Sequence, residues 1–199
     1  ATAVDLDLLR DGNGLALNPA LVDIRPTALS TDVQSWNVYN DAGQLVYEIA
    51  DNGAVTQHDY DGVGRRVRTL RYATAIVATT SPTVTYVNGQ LDDPAIIAAA
   101  GNRSERFIYD ADGLLTGTID GEGYFTRVSY DHAGRKIQTL RFANAVPESE
   151  RAGGGAIAQV TPSSNAADQV ETFFYDARGL LIAHVDSERY VTRNIYDNR

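Results

Sequence analysis

The chain has 199 residues, with 17 Lys and Arg against 26 Asp and Glu, a net charge of −9, and neither Cys nor Met. Zero Cys excludes disulfides, cysteine-ligated zinc and thiol catalysis, and the acidic balance argues against binding DNA or RNA through a cationic surface. With 43% hydrophobic residues one sizeable core is possible. No run approaches the roughly 18 apolar residues of a membrane-spanning helix, and no signal-peptide pattern opens the chain. The absence of any Met, an initiator included, predicts a piece of a longer polypeptide.

In chain order, residues 1–35 read as an insertion-like segment in which Asn18-Pro19 offers a helix start. Residues 36–73 are a first repeat pair, 74–105 an insertion, 106–143 a second pair, 144–171 a second insertion, and 172–199 a truncated third repeat. Together they are expected to be one continuous repeat domain. Asp32 to Tyr39 is spaced as Asp168 to Tyr175, so the N-terminal segment is expected to be the preceding insertion of a longer array. Within the first insertion, Thr83-Val-Thr-Tyr-Val87 followed by Asn88-Gly89 is a hairpin signal. Asp93, Pro94 and Gly101 mark a cap, a first turn and a stop for a short helix. The second insertion, with Gly153-Gly-Gly155 and Pro162-Ser-Ser-Asn165, reads as looser.

The pairs are related by constant shifts. Tyr39-Asn-Asp-Ala-Gly43 onward matches Tyr109-Asp-Ala-Asp-Gly113 onward at a shift of 70 (109 − 39), and a third copy begins at Tyr175, shifted by 66 (175 − 109). Within each copy two Tyr-Asp or Tyr-Asn steps lie 21 residues apart: 39 and 60, 109 and 130, 175 and 196. In Tyr-Asp-x-x-Gly-Arg the Asp side chain can accept a local backbone N–H and the Gly tolerates positive φ, which makes a tight turn. Between turns, Leu45, Tyr47 and Ile49 alternate onto one face, as do Leu115 with Ile119 and Leu181 with Val185, the period of half-buried antiparallel strands. Asp51-Asn-Gly53 and Asp120-Gly-Glu-Gly123 supply a second turn; the third copy has Arg189 where Gly is expected, so that turn differs in type or carries strain. After each Gly-Arg, Val67 and Ile137 fall on one face while Leu70, Tyr72, Leu140 and Phe142 fall on the other. Either both faces are partly covered or a β-bulge shifts the register midway.

The recurring units Tyr60-Asp61-Gly-Val-Gly64-Arg65, Tyr130-Asp131-His-Ala-Gly134-Arg135 and Tyr175-Asp176-Ala-Arg-Gly179-Leu180 resemble the RHS/YD-repeat family of bacterial secreted and surface proteins, related to repeats of animal teneurins. The repeat motif comprises Tyr39, Gly43, Tyr60, Asp61, Gly64, Arg65, Tyr109, Asp110, Gly113, Tyr130, Asp131, Gly134, Arg135, Tyr175, Asp176, Gly179, Tyr196 and Asp197. The resemblance implies an all-β fold of tandem antiparallel hairpins, forming a twisted strip or an arc of a shell, with short helical or irregular insertions. In the best-known members that shell encloses a C-terminal toxin and carries a self-cleaving Asp-Pro-x-Gly-Leu core. Here the only Asp-Pro, Asp93-Pro94, continues Ala-Ile and lies in an insertion, a departure from the self-cleaving pattern.

Candidate sites compete with plainer readings. His58, His132 and His184 align with Val128, Gly62 and Thr118, so none recurs, and with no Cys they read as strand or surface residues rather than metal ligands. The acidic loops Asp110-Ala-Asp112 and Asp120-Gly-Glu122 invite calcium but lack a full ligand series, and hairpin turns favour the same residues. Arg71 and Arg141 are expected to pair with Asp or lie along aromatic rings. Tyr60, Tyr130 and Tyr196 are expected to pack at strand ends with the hydroxyl in water, leaving an exposed Tyr stripe as a possible sugar-stacking surface.

The reading is a non-enzymatic structural segment, outside the cell or on its surface, with no catalytic residue, metal or cofactor. Its partners would be neighbouring repeats of its own parent chain, an encapsulated toxin domain, or surface glycans, with no nucleic acid and no membrane insertion. A carbohydrate- or ligand-binding adhesin module is the alternative, and part of a self-processing polymorphic toxin a second one. About eight strands at roughly 4.8 Å make about 40 Å of sheet, against a circumference on the order of 140 Å around a toxin of about 100 residues. The segment is therefore an arc and not a closed shell.

Overall fold

The computed structural model describes residues 32–77, 79, 81–151, 160 and 162–197. The readings of residues 1–31, with Asn18-Pro19, and of Gly153-Gly-Gly155 lie outside them. Unit Ser35–Arg199 is built on one sheet of eleven strands. These are β1 (Ser35–Tyr39), β2 (Leu45–Ala50), β3 (Val55–Tyr60), β4 (Arg66–Arg71), β5 (Arg103–Tyr109), β6 (Leu115–Ile119), β7 (Tyr124–Tyr130), β8 (Lys136–Ala145), β9 (Gln169–Tyr175), β10 (Leu181–Val185) and β11 (Val191–Arg193). Their spatial order is their chain order, and every neighbouring pair is antiparallel. The expected all-β hairpin fold is therefore what forms. The strand count exceeds the expected eight because pairs 1 and 2 contribute four strands each and the third copy three. β5 and β9 also start earlier than the pattern suggested, at Arg103 and Gln169.

Sequential antiparallel order sends alternate connections to opposite ends of the sheet. The Tyr-Asp turns, joining β1–β2, β3–β4, β5–β6, β7–β8 and β9–β10, all lie at one end. The other turns and both long connections, β4–β5 and β8–β9, lie at the opposite end.

The first long connection carries α1 (Val84–Leu91) and α2 (Pro94–Ile97). The hairpin expected at 83–89 is overturned: Asn88-Gly89 lies inside α1. The Thr83 side chain caps the helix by accepting from the Tyr86 N–H, and Val87 and Leu91, one turn apart, bury against the sheet. Local turn preference loses because burying two such side chains is worth about 1.5–3 kcal/mol each. The second helix starts as expected, with Asp93 capping and Pro94 leading, but stops at Ala98, short of Gly101. The second connection carries α3 (Glu148–Arg151).

The core is in two pieces on one face. Val38, Tyr47, Ile49 and Val55 from β1–β3 bury against Ile76, Val87 and Leu91 of the first insertion. Ile108, Ile119, Phe125 and Phe142 pack with Val146, the residue that opens the second. Each insertion enters in the same way: Ile76 N–H donates to the Gly53 carbonyl (2.9 Å) and Val146 N–H to the Gly123 carbonyl (2.8 Å).

Candidate functional site

Tyr-Asp turns form a ladder along one end of the sheet. In each, the Asp or Asn N–H donates to a carbonyl four residues on, and the Gly N–H returns to the Asp or Asn carbonyl, as in Asp61 N–H to Arg65 O (2.9 Å) and Gly64 N–H to Asp61 O (3.0 Å). The side chain completes the turn: Asp61 Oδ1 accepts from Val63 N (3.1 Å) and Arg65 N (2.9 Å). Asn40, Asp110, Asp131 and Asp176 do the same. Gly43, Gly64, Gly113, Gly134 and Gly179 have φ between 74° and 87°, where a Cβ is strained.

These contacts fix the charge of the turn carboxylates. Desolvation by itself raises the Asp61 carboxyl, but hydrogen bonds from the Arg65 backbone, its guanidinium and the Val63 N–H outweigh it, and the pKa is lowered. Asp131 and Asp176 are lowered first by the backbone N–H groups of Arg135 and Leu180 respectively. In the third copy, where Leu180 replaces Arg, Arg178 supplies the ion pair with Asp176 (3.1 Å).

Each of these turns is followed by a register shift. Val38 pairs with Tyr47 but Tyr39 with Leu45, leaving Val46 as an extra residue; the same slip recurs at Tyr60, Tyr109, Tyr130 and Tyr175. These bulges sit beside the turns; the strand after the second Gly-Arg, β8, carries one more further along, where Thr126 pairs with Arg141 but Tyr124 with Ala145. Within β4, Val67 and Thr69 are buried while Leu70 is half-buried, so both faces are partly covered. The bulge also separates Leu45 from Tyr47 and Ile49, which the uninterrupted alternation had placed on one face.

Bulges disrupt the ladder locally, and the tyrosines answer them. Tyr60 Oη donates to the Leu45 carbonyl (2.9 Å), Tyr109 Oη to Arg66 (3.2 Å), Tyr130 Oη to Leu115 (2.9 Å), Tyr175 Oη to Lys136 (2.8 Å) and Tyr196 Oη to Leu181 (2.9 Å). Every acceptor is the first residue after the preceding turn's pairing break, on the neighbouring strand. This corrects the expectation that Tyr60, Tyr130 and Tyr196 leave their hydroxyls to water. Between pairs, Arg65 lies over the Tyr109 ring (4.7 Å) and Arg135 over Tyr175 (4.9 Å), while each guanidinium also grips its own turn Asp at 2.7 Å.

Arg189 takes the strained branch of its two expected alternatives: it keeps the glycine-type turn at φ 71°, with its N–H on the Asp186 carbonyl (3.0 Å). Arg71 pairs with Glu105 (3.1 Å), and Arg141 with Asp120 (3.1 Å) while lying over Tyr124. His58 is a buried strand residue between Thr69 Oγ1 (3.3 Å) and Glu48 Oε1 (3.1 Å). His184 stacks on Phe173 at 4.6 Å. A cleft of about 500 Å³ beside the turns is lined by Asp110, Asp112, Asp131 and His132, but Asp110 Oδ1 and both Asp131 oxygens already hold their own turns. Among the described residues no group of three or more His, Asp or Glu is placed to hold a metal, and no helix is long and apolar enough to cross a membrane.

One polar cluster escaped the sequence reading. Gln57 Nε2 donates to Asp59 (2.8 Å), Asp59 pairs with Arg68 (2.6 Å), and Arg106 is buried beside them on the core face at 2% exposure. Burial, then the neighbouring Arg68, lowers the Arg106 pKa. The available signal was non-repetition: Arg106 aligns with Trp36 and Thr172 in the other copies.

Residues 109–144, from Tyr109 into the end of β8, match the RHS Repeat family. The crystal structure of TcdB2-TccC3 is similar over 82% of this chain and 7% of that one, at 13% identity and a TM-score of 0.50. That of TcdB2-TccC3-Cdc42 is similar over 80% of this chain and 6% of that one, at 18% identity and a TM-score of 0.49. The chain thus spans a small part of these proteins, and at such identities the likeness is one of fold. No curated protein matches the chain.

Proposed function

We propose that this RHS-repeat chain is a non-enzymatic structural segment of a large secreted or surface bacterial protein, a stretch of wall in a scaffold or in a shell around a toxin domain. One observation carries the reading: the recurring Tyr, Asp and Arg side chains are engaged in joining turn to turn and strand to strand, which leaves the motif no free constellation for chemistry. Eleven strands span about 50 Å at 4.8 Å each, roughly a third of the circumference on the order of 140 Å needed around a domain of about 100 residues. Further repeats would complete the wall. The engaged tyrosine hydroxyls speak against a sugar-stacking stripe.

Protease protection tests enclosure. In the polypeptide carrying this segment, an enclosed domain should survive digestion, and the paired substitutions Tyr109→Ala and Tyr175→Ala should expose it. Equal cleavage in both forms would remove the enclosing role. A hydrolase or transferase activity of the purified chain, lost on one substitution, would remove the structural reading altogether.

A further inference from the structure

Among the described residues seven glycines have positive φ, and the space around them divides them into two kinds. At the Tyr-Asp turns, a Cβ on Gly43 or Gly134 would meet nothing within 4 Å, and one on Gly64, Gly113 or Gly179 nothing closer than 3.4 Å. These glycines serve the turn conformation alone. At the other end of the sheet, a Cβ on Gly53 would collide with the Ile76 carbonyl oxygen. One on Gly123 would stand 3.0 Å from Arg151 Nε and 3.2 Å from the Val146 carbonyl oxygen. In both places the space belongs to the long connection that leaves the pair.

The third copy separates the two demands. Arg189 stands where Gly53 and Gly123 stand in the other copies, and it holds the same turn at φ 71°, with its N–H on the Asp186 carbonyl (3.0 Å). β10 and β11 pair across that turn with a side chain in this position. The hairpin by itself does not demand glycine. Room for a connection does.

The two connections use that room alike. Ile76 follows Gly53 by 23 residues (76 − 53), and Val146 follows Gly123 by 23 (146 − 123). Each donates its N–H to the carbonyl of its glycine and buries its side chain in the core of its own pair. The exits match too. Asn102 Oδ1 accepts the Ala73 N–H (2.9 Å) and Asp168 Oδ1 the Ala143 N–H (2.8 Å), each seven residues before the tyrosine that opens the next pair (109 − 102 and 175 − 168). Between those ends the connections differ, with α1 and α2 in one and α3 in the other. What they share is the frame.

We propose that the residue at this second turn decides whether the connection leaving a repeat pair folds back onto it: glycine admits the backbone of the connection, and a side chain shuts it out. Gly53 and Gly123 are open ports, legible in sequence as a glycine with Ile or Val 23 residues on. Arg189 is a closed one, so the third pair cannot take a connection laid down in this way. This role concerns how connections dock and is independent of what the repeats enclose.

Gly53→Arg in the intact chain copies the third copy's residue and tests the port. Gly134→Arg is its control, the same side chain at nearly the same φ (74° against 78°) but in open space. Amide hydrogen exchange followed by NMR should show Ile76 and the Val84–Leu91 helix exchanging at least about tenfold faster in Gly53→Arg, relative to the rest of the sheet, while β2 and β3 keep their protection. Gly134→Arg should leave the helix at its original rate relative to the strands. Gly123→Arg should repeat the pattern in pair 2, releasing the Val146 amide with β6 and β7 still protected. Unchanged exchange at Ile76 and α1 in Gly53→Arg would show that the connection docks past a side chain, and would overturn the proposal. Selective loss of the β2–β3 or β6–β7 pairing in the two variants would assign the glycines to their hairpins, against it. Equal release of α1 by Gly134→Arg would reduce the effect to backbone strain, and this too would count against the port.

Discussion

The Tyr130 hydroxyl lies 2.9 Å from the carbonyl of Leu115, fifteen residues back and one strand over. That carbonyl belongs to the residue paired with Tyr109, where the β5–β6 register slips. Tyrosine and bulge are thus two halves of one joint: a turn creates the irregularity and the next turn's tyrosine satisfies it. Removing the hydroxyl alone, Tyr130→Phe, should cost about 1 kcal/mol, the worth of one hydrogen bond to a partly buried carbonyl. Equilibrium urea unfolding should show a lower midpoint at unchanged slope.

Two glycines separate backbone strain from close packing. Gly43 and Gly53 both have positive φ, 75° and 78°, but a Cβ on Gly43 meets open space while one on Gly53 would collide with the Ile76 carbonyl oxygen. Gly43→Ala should cost about 1–2 kcal/mol from conformation. Gly53→Ala should cost more, because the insertion that lays Val87 and Leu91 on the core must move, and loss of protection at the α1 amides should accompany it. Equal losses would mean that the insertion does not lean on Gly53.

Arg189 holds at φ 71° a turn that Gly53 and Gly123 hold at 78° and 99°. Arg189→Gly should therefore raise stability by about 1 kcal/mol, read as a higher thermal midpoint. An unchanged or lower midpoint would show that the arginine side chain offsets the strain.

Acid should loosen the turn ladder. The Asp61, Asp131 and Asp176 pKa values are lowered in the folded chain. A depressed folded value means that the carboxylates contribute stability above the ordinary Asp range, near pH 4, and that this contribution is lost as pH falls through the folded values. The urea midpoint should decline below about pH 4, and Asp131→Asn should flatten part of that decline while lowering the midpoint at pH 7.

Much of this was legible in the chain itself. Turn positions follow from Asp and Gly because those residues act on their own backbone within four residues: Asp61 on Val63 and Arg65, Asp131 on Ala133 and Arg135. The period of 21 and the open hairpin order come from the same local rule repeated. Tertiary structure decided what depends on a neighbour. The bulge that moves Leu45 off the Tyr47 face exists only against β1. The destination of each tyrosine hydroxyl lies on another strand, and Arg65 finds Tyr109 only once the intervening insertion has folded. Asn88-Gly89 became helix because Val87 and Leu91 had an apolar face to cover. Short-range hydrogen bonding can be read along the chain, whereas register and burial are properties of two segments brought together and belong to neither alone.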